Sequence, residues 1–227
     1  MVDVSKIVDY LGKPVVDPYG RRLGYIVSFY SDADGKVVAV EVNFNDQEYK
    51  EVPIERFNFA GDTAVLIPEH EYKAVLVENR LKIIKSRLAS LEDLYSKKEI
   101  PTHAYELFKK KLESEVVSAK NMAKEVKEAL RKRLHEIEDQ IAEIEKALAA
   151  LKTSYFSGEV PEKAYLTAID IMKKNLEMLS KEKEAIKKHV DLIESLEALP
   201  LTPAAGLAGQ EKQSSPSEGP IQVVVLE

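Results

Sequence analysis

Cysteine is missing from all 227 residues, and with it go disulfide bonds, zinc–thiolate sites and thiol nucleophiles. Zero cysteine fits a reducing cytoplasm and is also common in heat-adapted proteins. Tryptophan is missing too, while charged residues make up 32% and hydrophobic ones 44%. That balance suits long helices more than a compact enzyme. No segment approaches the ~18 consecutive apolar residues of a membrane span. Met1-Val2-Asp3-Val4 lacks the basic start and apolar run of a signal peptide. A net charge of −6 argues against whole-surface attraction to nucleic acid or anionic lipid, although local basic patches can still act. These absences lead us to expect a soluble intracellular protein.

Residues 1–69 read as β. Lys13 to Val16 is a short strand, closed by the turn Asp17-Pro18-Tyr19-Gly20, where proline and glycine supply the dihedrals. Arg22 to Tyr30 follows, with Gly24 a bulge or a point of close backbone approach. Asp32-Ala33-Asp34-Gly35 turns the chain into Lys36 to Val42, a hairpin signal. Glu48 to Ile54 and Thr63 to Ile67 complete about five or six short strands, a density that predicts a small closed barrel rather than an open sheet. Gly12 to Asp17, Gly20 to Ile26, Val52-Pro53-Ile54-Glu55-Arg56-Phe57 and Gly61 to Leu66 together resemble the PRC-barrel family. The resemblance spans nearly all of this region and implies a docking module without catalysis.

From residue 70 to 199 the period changes. Ala74, Val77, Leu81, Ile84, Leu88, Leu91 and Tyr95 alternate three- and four-residue steps, the seam by which helices interlock knobs-into-holes. A second helix is expected over about Thr102 to Ser154, with its seam at Leu134, Ile137, Ile141, Ile144, Leu148, Leu151 and Tyr155. Its earlier half is weaker, carrying Ala119 and Ala123. Leu130 to Leu134 adds an extra four-residue step, a stutter that locally unwinds a supercoil. A third helix, about Glu162 to Ala198, places Tyr165, Ile169, Met172, Leu176, Leu179, Ile186, Val190 and Ile193 on its stripe, which Lys183 interrupts.

The breaks at 96–101 and 156–161 are themselves a repeat. Tyr95, Glu99, Pro101, Ala104 and Tyr105 match Tyr155, Glu159, Pro161, Ala164 and Tyr165 at an offset of 60 residues. Proline fits the first helical turn after a polar reversal, and the paired tyrosines are placed to pack across each corner. The expectation is antiparallel helical hairpins in an α+β protein. The second helix, at about 53 residues, would reach roughly 80 Å. The helices before and after it are shorter and cannot cover its stripe, so homo-oligomers or filaments are expected.

Catalytic patterns are scarce. His70, His103, His135 and His189 have no partner at helical spacing that makes a metal site, and lone helical histidines are ordinarily solvated. Asp32 to Asn43 lacks the glutamate that closes a calcium loop, so a plain turn is the better reading. No glycine-rich phosphate loop follows a strand and no GxSxG elbow occurs. Helical Glu and Asp stand where they answer nearby lysines at i,i+4. No enzyme activity, cofactor or metal is expected. Basic runs at Lys109-Lys110-Lys111, Arg131-Lys132-Arg133, Lys173-Lys174 and Lys187-Lys188 read as a solvated coiled-coil face, although a polymer would repeat them often enough for weak contacts with DNA or lipid to add up.

Residues 200–220 are rich in Pro, Ala, Gly, Ser and Gln and carry no period, the composition of a flexible linker. Beyond them Ile221, Gln222, Val223, Val224, Val225 and Leu226 form a β-prone apolar run within 221–227. The favoured reading is a hook that adds a strand to a partner's sheet edge; the other is a strand that returns to this chain's own β region. Barrel, paired helical hairpins, linker and terminal strand, in that order, resemble the archaeal CdvA family of cell-division proteins. That resemblance implies a polymerising assembly factor at the mid-cell division site, associated with membrane and in some members with DNA. It also implies recruitment of the ESCRT-III homologue CdvB, whose winged-helix domain pairs with residues Ile221 to Leu226. The competing reading is a DNA- or RNA-associated structural coiled-coil protein whose tail is incidental.

Overall fold

The computed structural model describes residues 2–45 and 47–198; the linker and the terminal strand expected from the sequence lie outside them. A one-turn helix α1 (Val4–Ile7) and a 3-10 turn (Val8–Tyr10) lead into six strands: β1 (Pro14–Val16), β2 (Arg22–Ser31), β3 (Val37–Phe44), β4 (Glu48–Pro53), β5 (Phe57–Ala60) and β6 (Thr63–Leu66). They form one sheet in the order β4-β3-β2-β1-β6-β5. All neighbours are antiparallel except β1 and β6, which run parallel. The expected closure is corrected here. A single 3-10 turn (Ile54–Arg56) carries the chain from β4 to β5, and these two strands end as the sheet's opposite edges, so the barrel is a half-barrel.

Its concave side is filled by Ile7, Val15, Ile26, Val40 and Val42, all fully buried. Curvature comes from register shifts between Val15 and Val16 and between Ile26 and Ser28, where extra residues bend a strand. Gly24 is a close approach: a Cβ there would stand 2.0 Å from the Asn43 carbonyl oxygen. The 32–35 turn is a hairpin turn. Asp32 Oδ1 accepts the backbone N–H groups of Asp34 and Lys36, at 3.0 and 2.8 Å, and Gly35 takes φ 75°.

Three long helices follow: α2 (Glu69–Ser96), α3 (Thr102–Phe156) and α4 (Glu162–Ala198). With 55 residues, α3 is about 80 Å long. Against it lie α2 at one end and α4 at the other, both antiparallel to it. Cross-links fix the register. Arg80 Nη2 donates to Ser118 Oγ (3.4 Å) between α2 and α3, while Arg131 meets Glu194 (2.8 Å) and Lys127 meets Glu197 (2.5 Å) between α3 and α4. Where α2 and α4 overlap, His189 on α4 reaches Glu78 on α2 at 2.6 Å. The molecule is thus a rod with a three-helix middle and a two-helix arm at each end.

Burial follows that plan. The α2 seam residues Val77, Leu81, Ile84, Leu88 and Leu91 are all buried, and Ala74, Ala119 and Ala123 are fully so. These alanines let the packed helices approach closely. On the α3–α4 arm Ile137 is fully buried, but Ile141, Ile144, Leu148 and Leu151 are only half covered, as are Leu134 and, across from them, Ile169, Met172 and Leu176. The seam is left partly open on this arm, whereas Leu88 and Leu91 on the opposite two-helix arm are buried.

Candidate functional site at the barrel–helix joint

The half-barrel is fastened to the rod by charge. Asp17 and Arg21 stand at the two ends of the β1–β2 turn. Asp17 Oδ1 accepts the backbone N–H groups of Tyr19 (2.9 Å) and Arg21 (2.8 Å), and its Oδ2 accepts Arg21 Nε at 2.6 Å. This aims the rest of the Arg21 guanidinium at α4, where Nη2 donates to Glu182. From α3, Arg133 grips the same carboxylate with two nitrogens, Nε at 2.7 Å and Nη2 at 3.1 Å. Glu182 is 1% exposed. Burial alone would raise its pKa, but the two guanidiniums outweigh that and hold it below the usual carboxylate range. One buried carboxylate therefore ties together the barrel, α3 and α4.

Beside it, the Tyr19 hydroxyl donates to Glu71 on α2. Burial pushes the pKa of both groups up: the phenol is held as a neutral donor, and Glu71 stands above the ordinary glutamate value despite that bond. His70 is lowered, first by burial; its Nε2 is buried without a hydrogen-bond partner, 3.7 Å from Glu71. On the barrel side Arg56 donates Nε and Nη2 to the Ile67 carbonyl (3.1 and 3.0 Å), pinning the β6–α2 connection.

These contacts revise the reading of the histidines. His103 and His135 are exposed, as expected of solvated helical residues, but His70 and His189 belong to the joint and its neighbouring α2–α4 contact. The interruption of the α4 stripe also has a content: Glu182 fills the buried position, and Lys183 reaches across to Glu138 at 2.8 Å. Elsewhere Glu69–Lys73, Asp170–Lys174, Glu177–Lys181 and Glu184–Lys188 pair at i,i+4. Glu71, Glu78 and Glu182 are the buried exceptions. The joint supplies no nucleophile paired with a base, and no cluster of three His, Asp or Glu among the described residues is arranged to hold a metal ion. Its chemistry is fastening.

At each end of α3 the structure brings the repeated corner residues together. The Tyr95 and Tyr105 rings stack with centroids 4.1 Å apart at 14°, and Tyr155 and Tyr165 at 4.0 Å and 9°. Each corner closes with the same paired backbone bonds. Glu99 N–H reaches the Leu94 carbonyl and Lys98 N–H the Tyr95 carbonyl; Glu159 reaches Ser154 and Gly158 reaches Tyr155. This is the two-bond helix stop that needs a left-handed residue. Pro101 and Pro161 then stand immediately before the first helical residues. Much of the basic sequence is paired: Lys109 with Glu92 and the Tyr105 hydroxyl, Arg131 with Glu194, Arg133 with Glu182 and Glu136.

Comparison with known proteins matches the two halves of this architecture separately and as a whole. A model of the PRC-barrel domain matches residues 3–73, and a model of the CdvA-like coiled-coil domain matches residues 69–216. Cell division protein A of Sulfolobus acidocaldarius is 35% identical over 220 residues, covering 96% of this chain and 92% of that protein. The chain belongs to the CdvA family. In this CdvA-family member the coiled-coil match begins where α2 does, and the PRC-barrel match runs just past the joint at Glu71. Neither is an enzyme family. Among the described residues no helix is long and apolar enough to cross a membrane. The sequence pointed to the corners and the seams; it did not point to Asp17, Tyr19, Arg21, Glu71, Arg133 and Glu182 as one group. The interrupted α4 stripe was the only signal of it.

Proposed function

We propose that this protein is a polymerising scaffold of archaeal cell division, acting at the mid-cell division site and recruiting the ESCRT-III homologue CdvB. The observation that carries the reading is the end-to-end likeness to a cell division protein A, through barrel and coiled coil alike. Two physical features support it. The half-covered seam of the α3–α4 arm leaves apolar surface for further copies. The run Ile221 to Leu226 carries alternating side chains that can enter pockets while its backbone pairs with a sheet edge. Ile221, Val223 and Val225 form the face directed at the winged-helix domain of CdvB. A flexible chain of 21 residues, the length of 200–220, would span on the order of 25 Å, slack enough for capture without rigid alignment.

Val223→Asp places a charge on that face. Capture of the CdvB winged-helix domain is expected to fall to background, with helicity and sedimentation unchanged; undiminished capture removes the hook from the account. The reading as a DNA- or RNA-associated structural protein predicts instead a steeply salt-dependent binding that survives deletion of residues 200–227.

A further inference from the structure

The two corners of the rod are copies of one motif with their bulk exchanged. In both, a shallow apolar groove runs along the helix that leaves the corner. At the α2–α3 corner it includes Ala104, Phe108 and Lys111; at the α3–α4 corner the residues 60 further on are Ala164, Ala168 and Ile171. Phe108 thus stands where the other corner has an alanine. In return, Phe156, 81% exposed at the tip of α3, stands where the first corner has Ser96. The α2–α3 groove, about 470 Å³, is walled on both sides, by Leu91 and Leu94 of α2 and by Ile100, Phe108 and Leu112, whereas the α3–α4 groove, about 540 Å³, is lined by Pro161 and α4 alone. One corner offers a projecting ring and the other a receiving cleft.

Charge sorts the corners the same way. Over residues 90–112 five lysines stand against four carboxylates, and over the matching residues 150–172 two lysines stand against three. The first corner therefore carries +1 and the second −1, so unlike corners attract and like corners repel. They lie at opposite ends of α3, about 80 Å apart, too far to meet within one molecule.

From this we infer that the occupant of the α2–α3 cleft is Phe156 of a second copy of this chain, so that rods join head to tail. The inference deepens the scaffold reading by naming the contact. A contact between unlike surfaces related by translation along the rod does not close on itself, and it generates an open row rather than a dimer.

Sedimentation velocity and negative-stain microscopy of the full chain over a concentration series test it, with circular dichroism as the control for folding. Phe156→Ser installs the residue of the other corner, and Phe108→Glu blocks the cleft. Each alone is expected to raise the concentration needed for assembly at least tenfold. Mixed in equal amounts, each retains the end the other lacks, and a discrete two-chain species is expected. Leu166→Glu, at a position 56% exposed on the same corner as Phe156, gives a second reading of that end should Phe156→Ser lose helicity. Assembly of either folded variant at the parent's concentration overturns the head-to-tail contact, as does dimer formation by Phe156→Ser alone; both leave the scaffold reading standing. A parent chain that remains single at every concentration overturns both.

Discussion

Lys98 and Gly158 hold equivalent places in the two corners, both with positive φ, at 59° and 82°. A lysine there sets its Cβ against the following carbonyl, which costs about 1–2 kcal/mol, whereas glycine escapes that clash at some expense in chain entropy. Lys98→Gly is therefore expected to stabilise the α2–α3 hairpin by about 0.5–1 kcal/mol net, read as a higher melting temperature. An unchanged or lower value would mean that Lys98 gains something from the corner that its backbone does not show. The sequence repeat located both corners through Tyr95, Pro101, Tyr155 and Pro161. It could not reveal which residue is left-handed, because the repeat aligns a lysine with a glycine and the handedness resides in the backbone bonds from Leu94 to Glu99.

Among the elements, the weak early seam of α3 has a positive meaning. Ala119 and Ala123 are fully buried on the α3 face that meets α2, and small residues let the neighbouring backbones approach. Ala123→Leu is expected to overpack that crossing and destabilise the fold by about 1–3 kcal/mol, measured by thermal melting. A neutral effect would show the middle to be looser than its burial implies. Periodicity told which face of each helix turns inward. It was silent on how many neighbours that face meets, since one stripe serves a pair or a triple. The extra step from Leu130 to Leu134 is a case in point. In the sequence it reads as a fault in a supercoil; in the fold Arg133 lies within it and turns toward Glu182. The half-barrel shows the same limit. Strand count and turn residues were legible, but closure depends on whether β4 meets β5, and neither strand's composition encodes that.

For the molecule as a whole, the joint decides whether barrel and rod move as one. Glu182→Gln removes the charge shared by Arg21 and Arg133. The expected loss is about 2 kcal/mol, below the ~3–5 kcal/mol of stranding a buried charge outright, because Arg21 keeps Asp17 and Arg133 keeps Glu136. Hydrogen exchange should quicken over residues 14–31 and 179–186 before the rod arms respond; uniform exchange would argue against a local fastening. Acid should act in the same direction. The folded pKa of Glu182 lies below its unfolded value, so its contribution is complete above about pH 4.5 and is lost as the pH falls through the folded value. The glutamine variant should lack that part of the acid response. Beyond the interrupted α4 stripe little of this was readable in advance, because Asp17, Arg21, Arg133 and Glu182 are spread over the sequence and each resembles an ordinary surface charge. The position of the joint also has a geometric result. Arg133 lies about 23 residues from the end of α3 and about 31 from its start, so the globular head, about 28 Å across by its residue number, rides near the midspan of a beam about 80 Å long. Beams laid end to end would hold their heads apart with open bays of about 50 Å between them, like sleepers under a rail.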